Sequence, residues 1–133
     1  MSYYISRTIE SGFDQAVAKV VDTLKGEGFG VLTDIDVAAT MKQKLGVEFR
    51  PYRILGACNP PLAHKALMAE DKVGVMLPCN VIVQDAGAGK IEVAAIDPRT
   101  VMERVGNPAL TDLANEVADK LTRVISALSG AGR

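Results

Sequence analysis

Two short stretches hold most of the chemically versatile side chains of this chain: Cys58-Asn59-Pro60-Pro61-Leu62-Ala63-His64 and Pro78-Cys79-Asn80. The only two cysteines and the only histidine of the 133 residues fall within them, and each cysteine is followed by an asparagine. Three chemistries fit this inventory. Cys58, His64 and Cys79 are candidate ligands for a soft or borderline metal such as Zn or Cu(I), with Met76 or Met68 as a weak fourth ligand. No paired C-x-x-C accompanies them, which makes a poor metal signature. The two thiols can instead form a dithiol that cycles with a disulfide, Cys58 attacking and Cys79 resolving, with Asn59 and Asn80 donating to the thiolate. Cys58 directly precedes a helix start, whose partial positive charge favours a thiolate. The third chemistry is a pocket for a small organic ligand, with Cys, His and Asn as its polar contacts. Against all three stands a plain reading: the cysteines are small buried hydrophobes, Asn59 is a helix cap and His64 is a surface residue.

The elements that must position these residues follow from periodicity. Tyr3 to Ile9 suits a strand, and Ser11 can cap a helix carrying Phe13, Ala16, Val17, Val20, Val21 and Leu24 on one face before Gly26 and Gly28 end it. Phe29 to Ile35 is a second strand. Asp36 then caps a short helix with Val37, Met41 and Leu45 on one side, stopping at Gly46. Tyr52 to Cys58 is a third strand, and Asn59-Pro60 opens a helix to about Glu70. Val73 to Leu77 and Val81 to Val83 read as one long strand interrupted at Pro78. Asp85 to Gly89 is a hairpin loop, Lys90 to Ile96 returns as its partner, and Asp97-Pro98 breaks the strand. Asn107-Pro108 precedes a last helix with Leu110, Leu113, Ala114, Val117, Ala118, Leu121, Val124, Ile125 and Leu128 along one stripe. The expectation is a single α+β domain over residues 1–133, a mostly antiparallel sheet with helices on one face, and a flexible tail at 129–133.

Composition narrows the function classes. With 15 Lys+Arg, 16 Asp+Glu and 5% aromatic residues, the chain lacks the basic patch that phosphate backbones demand and the aromatics that stack bases, so no nucleic-acid partner is expected. No signal peptide and no apolar run of membrane-spanning length is visible, and the expected location is cytoplasmic, with no membrane partner. The glycine run Gly26-Glu27-Gly28-Phe29-Gly30 follows a helix, whereas a dinucleotide loop follows a strand and opens a helix. Ala88-Gly89-Lys90 lacks the earlier glycine of a P-loop, since Gln84 stands there, and Ile91 replaces the required hydroxyl. His64 has no serine near it in sequence for a Ser-His-acid arrangement. Asp36 and Asp97 can pair as acid and base, although each also has a local role at an element end.

Taken together, Gly30 to Val37, Tyr52 to Pro60, Ala63-His64-Lys65-Ala66-Leu67, Leu77-Pro78-Cys79-Asn80-Val81 and Ala95-Ile96-Asp97-Pro98 closely resemble the uncharacterised family called domain of unknown function 302. The resemblance implies a TBP-like α+β fold, β-α-β(4)-α in outline with short extra helices, and a homodimer. The family's recurrent positions correspond here to Asp36, Cys58, Asn59, Pro60, His64, Pro78, Cys79, Asn80, Asp97 and Pro98. It assigns none of them a role.

The reading is therefore a small-ligand or metal-binding dimer with its site around Asp36, Cys58, Asn59, His64, Cys79, Asn80 and Asp97. Binding ranks ahead of catalysis. The alternatives are a thiol-disulfide redox protein using Cys58 and Cys79 and a structural or partner-binding dimer with no ligand.

Overall fold

The structure is a computed structural model that describes residues 2–129. Five strands, β1 (Tyr4–Glu10), β2 (Gly30–Asp36), β3 (Tyr52–Cys58), β4 (Cys79–Gly87) and β5 (Lys90–Ile96), form one antiparallel sheet in the order β1-β5-β4-β3-β2. The helices are α1 (Phe13–Gly26), α2 (Val37–Leu45), α3 (Pro60–Ala69), α4 (Pro98–Met102) and α5 (Ala109–Ala127). This is the α+β architecture with short extra helices that the sequence implies. The flexible tail expected at 129–133 falls outside the described residues from 130 onward. Among the described residues, no helix is long and apolar enough to cross a membrane.

Alternation along the strands and 3.6-residue periodicity along the helices meet on one side of the sheet. Ala16, Val17, Val20 and Leu24 of α1 and Leu121, Val124 and Ile125 of α5 are buried against Leu55, Ala57, Val81, Val83, Val93 and Ala95. Asp14 in the first turn of α1 and Lys25 in its last complement the helix dipole. The Arg123 guanidinium on α5 grips Glu27 Oε1 just after α1, at 3.1 and 3.0 Å, tying the two long helices together. The opposite face of the sheet carries the register row Ile35–Ile54–Ile82–Ala94.

Several local expectations are corrected. Val73 to Leu77 is no strand: Asp71–Met76 forms a 3₁₀ helix and β4 begins only at Cys79. Val73 is buried with Ala66 of α3 and Leu110 of α5, so this apolar run packs between helices instead of joining a ladder. The cap of α1 is Gly12, not Ser11, whose hydroxyl donates to the Gly12 carbonyl. Asp97-Pro98 does more than break β5, because Asp97 caps α4. No side chain of α2 is fully buried, and Leu45 is largely exposed.

Candidate functional site

The residues at one end of the sheet are small where the helices above them are bulky. Beyond Ala57 on β3 and Cys79 on β4, the layer is completed by α3, α4, the 3₁₀ segment and the first half of α5. Alanines at 57, 66 and 114 line the space between these elements instead of filling it. The result is a cavity of about 350 Å³ walled by Phe29, Leu62, Leu77, Pro78, Pro98, Met102, Leu110, Leu113 and Val117, with Cys58, Asn59 and Cys79 as its polar members.

Each element sets its own part of the wall. A β-bulge between Val31 and Thr33 interrupts the β2–β3 register and turns Leu32, otherwise exposed, to the cavity mouth. Leu67 of α3 faces it there, resting over Gly74. At Gly56 the neighbouring strand and the loop before β4 approach so closely that a Cβ would collide with Thr33 Oγ1 and lie 2.7 Å from Pro78 Cγ. The Leu77-Pro78 peptide is cis.

Asn59 closes the corner between β3 and α3. Its Oδ1 accepts from the Leu62 N–H at 3.4 Å, capping α3, and its Nδ2 donates to the Glu27 carbonyl at 3.4 Å. Both ends of the amide are thus engaged by backbone. Gly28, at φ 86°, passes beneath it; a Cβ there would sit 3.0 Å from Asn59 Nδ2.

The two cysteines are free and half-buried. Burial, and secondarily the neighbouring Cys58, pushes the Cys79 thiol up from its ordinary 9.0 to about 11, so it stays protonated at neutral pH. Ala57 is the ladder partner of Cys79, and Cys58, the next residue of β3, pairs instead with Gly30 of β2.

The remaining candidates disperse. His64 lies exposed on α3 and is not part of the cavity wall. Asn80, one residue after Cys79, falls on the opposite face of the sheet, beside Tyr4, Tyr52, Gln84 and Glu92. The expected donation of Asn59 and Asn80 to a thiolate is therefore replaced by a cap and a surface position. Among the described residues, no three His, Cys, Asp or Glu side chains are grouped to hold a metal ion, so Cys58, His64 and Cys79 do not converge as a ligand set. Asp36 caps α2 through the Ala39 N–H at 2.9 Å. Asp97, 4% exposed, accepts from the Arg99 N–H at 3.1 Å and from the Arg99 guanidinium at 3.0 and 2.8 Å. That guanidinium holds the Asp97 carboxyl below the usual carboxylate range. The ladder register sets these two aspartates at opposite ends of the sheet, so they form no acid–base pair. Sequence reasoning missed Leu32, Leu67 and Met102, since nothing in the alternation of β2 marks the bulge.

An open antiparallel sheet covered on one face by two long helices, with short helices enclosing an apolar, cysteine-floored cavity at one end, defines a small α+β cavity protein. The chain belongs to the family described as Domain of unknown function DUF302, whose model matches residues 5–128. It is similar to the uncharacterized conserved protein DUF302 from Bacillus stearothermophilus, known from a crystal structure, with 27% sequence identity and a TM-score of 0.87. That match covers 95% of this chain and 98% of the other. No functionally curated protein matches the chain.

Proposed function

We propose that the protein binds a small, predominantly apolar organic molecule in the cavity between the sheet end and α3, α4 and α5. The observation that carries this reading is an open space of about 350 Å³ bounded almost wholly by aliphatic side chains. Small-molecule sites have this character and reach down to this size. The one amide on the wall, Asn59, spends its hydrogen bonds on backbone, so selection falls to shape and apolarity. A neutral fluorescent probe such as N-phenyl-1-naphthylamine tests it. Binding to the native protein and its loss in Ala66→Trp, with the fold retained by circular dichroism, are expected. Equal binding by both proteins would reject the cavity as the site.

The open face of the sheet favours a second, compatible reading: a homodimer formed through it. Its central row Ile35–Ile54–Ile82–Ala94 is apolar, and beside it Arg50 Nε donates to Gln84 Oε1 at 2.9 Å while Gln84 Nε2 donates to Glu92 Oε1 at 2.8 Å. One positive and one negative end flank the row, so a two-fold copy can meet it without like-charge repulsion.

A further inference from the structure

We infer that the cavity is built to refuse anions, so that its ligands are uncharged alcohols, ketones or esters and not the carboxylates or phosphates of the same carbon skeleton. The inference rests on the apolar-ligand reading and names the ligand's chemical class. Among the described residues, the wall holds no Asp, Glu, Lys, Arg or His, and Asn59 spends both ends of its amide on backbone. Asp97 and Arg99, on either side of Pro98 in that wall, are paired with each other at 2.8 Å. Cys79, kept protonated by burial, adds no charge of its own.

Backbone is the other source of anion binding, and the starts of α3, α4 and α5 all border the cavity, through Asn59 and Leu62, Pro98, and Leu110. An open helix N-terminus offers free N–H groups at its positive end. Here each helix is entered through an Asn-Pro or Asp-Pro pair that spends or removes them. At α3, Pro60 and Pro61 have no N–H, the Leu62 N–H donates to Asn59 Oδ1 at 3.4 Å, and the Ala63 N–H donates to the Asn59 carbonyl at 2.9 Å. At α5, Pro108 has none, the Ala109 N–H donates to Asn107 Oδ1 at 3.0 Å, and the Leu110 N–H donates to the Asn107 carbonyl at 3.0 Å. At α4, Pro98 has none, and the Arg99 N–H donates to the Asp97 carboxylate, whose own charge opposes a second anion. A carboxylate entering this space would give up its hydration for neither a cation nor a free donor at these helix starts, so an acid enters in its protonated form.

Displacement of N-phenyl-1-naphthylamine from the native protein by 1-octanol and by octanoate, at pH 7 and pH 6, tests this. The protonated share of octanoate rises about tenfold over that unit, so its apparent affinity should rise about tenfold as well. The alcohol should displace the probe equally at both pH values, and it takes out any change in the protein itself. Leu67→Lys, which sets a cation at the cavity mouth, should improve octanoate relative to 1-octanol at pH 7 by about tenfold. An octanoate affinity that is the same at pH 7 and pH 6, or a Leu67→Lys ratio equal to the native one, would overturn the inference. If octanoate at pH 7 displaces the probe as well as 1-octanol does, the cavity binds apolar molecules and the refusal of anions is wrong. If neither compound displaces the probe, the apolar-ligand reading itself fails and the refusal of anions falls with it.

Discussion

Burial alters the protonation of Cys79. Its thiol is held near pKa 11 in the folded chain against 9.0 ordinarily, so between those values the folded state binds more protons than the unfolded one. Stability then falls as pH rises through that window, approaching about 1.4 kcal/mol per pH unit once the unfolded thiol is ionised. Urea unfolding of native protein and Cys79→Ala at pH 8 to 10.5 checks this: the difference between them should shrink from the neutral side upward, and parallel curves would contradict it. Asp97 works in the opposite direction. Its carboxyl is held below the ordinary 3.8, first by the hydrogen bond from Arg99, so its contribution is complete above that value and is lost as pH falls through the lower folded value. Asp97→Ala should lose about 1–3 kcal/mol at pH 7, combining a missing cap with a buried backbone donor left unpaired. Asp97→Asn keeps the cap and should lose less, and its stability between pH 5 and 3 should fall less steeply than that of the native protein. Adjacency in sequence singled out Cys58, Asn59 and Cys79, and all three line the cavity. It failed for Asn80 and His64 for a geometric reason: one step along a strand reverses the face, and the position of His64 on α3 turns it to solvent.

At the scale of elements, the corner where β3 becomes α3 fixes the cavity. Asn59 there caps one helix and anchors the turn that follows another, so two segments far apart in sequence share one amide. Asn59→Ala should destabilise by about 1–2 kcal/mol. Gly56 marks the second tight point, since an added Cβ meets Thr33 from the neighbouring strand and the rigid Pro78 ring. Gly56→Ala should cost about 1–3 kcal/mol, and adding Thr33→Ala should recover only part of it, because the proline cannot rotate away. Thermal denaturation of the single and double variants reads this, and full recovery would show that Pro78 gives way. The caps at Asp36 and Asn59 and the stripes of α1 and α5 were legible because side-chain type and period there agree with the final packing. Val73 to Leu77 was not, because an apolar run of five has no period that separates a strand from a 3₁₀ segment buried between helices. The bulge at Leu32 was hidden for a related reason: it changes the register without changing the residue pattern.

The whole molecule divides its sheet between two tasks. One face is covered by α1 and α5 and opens at the cavity end, while the other presents a row of aliphatic side chains. In a chain of formal charge −1, long-range repulsion between copies is small, so short-range burial decides whether they associate. Ile54 and Ile82 are ladder partners at the middle of the row, and a charge placed there would be trapped between two copies. Ile82→Glu should therefore convert the proposed homodimer to a monomer in native mass spectrometry or light scattering. Ile82 points away from the cavity, so the monomer should still bind N-phenyl-1-naphthylamine with affinity close to that of the native protein. A variant that remains dimeric would move the interface off this face. Loss of probe binding together with the dimer would mean that the two faces are energetically coupled, and the cavity would then have to be treated as a property of the assembly instead of the single chain.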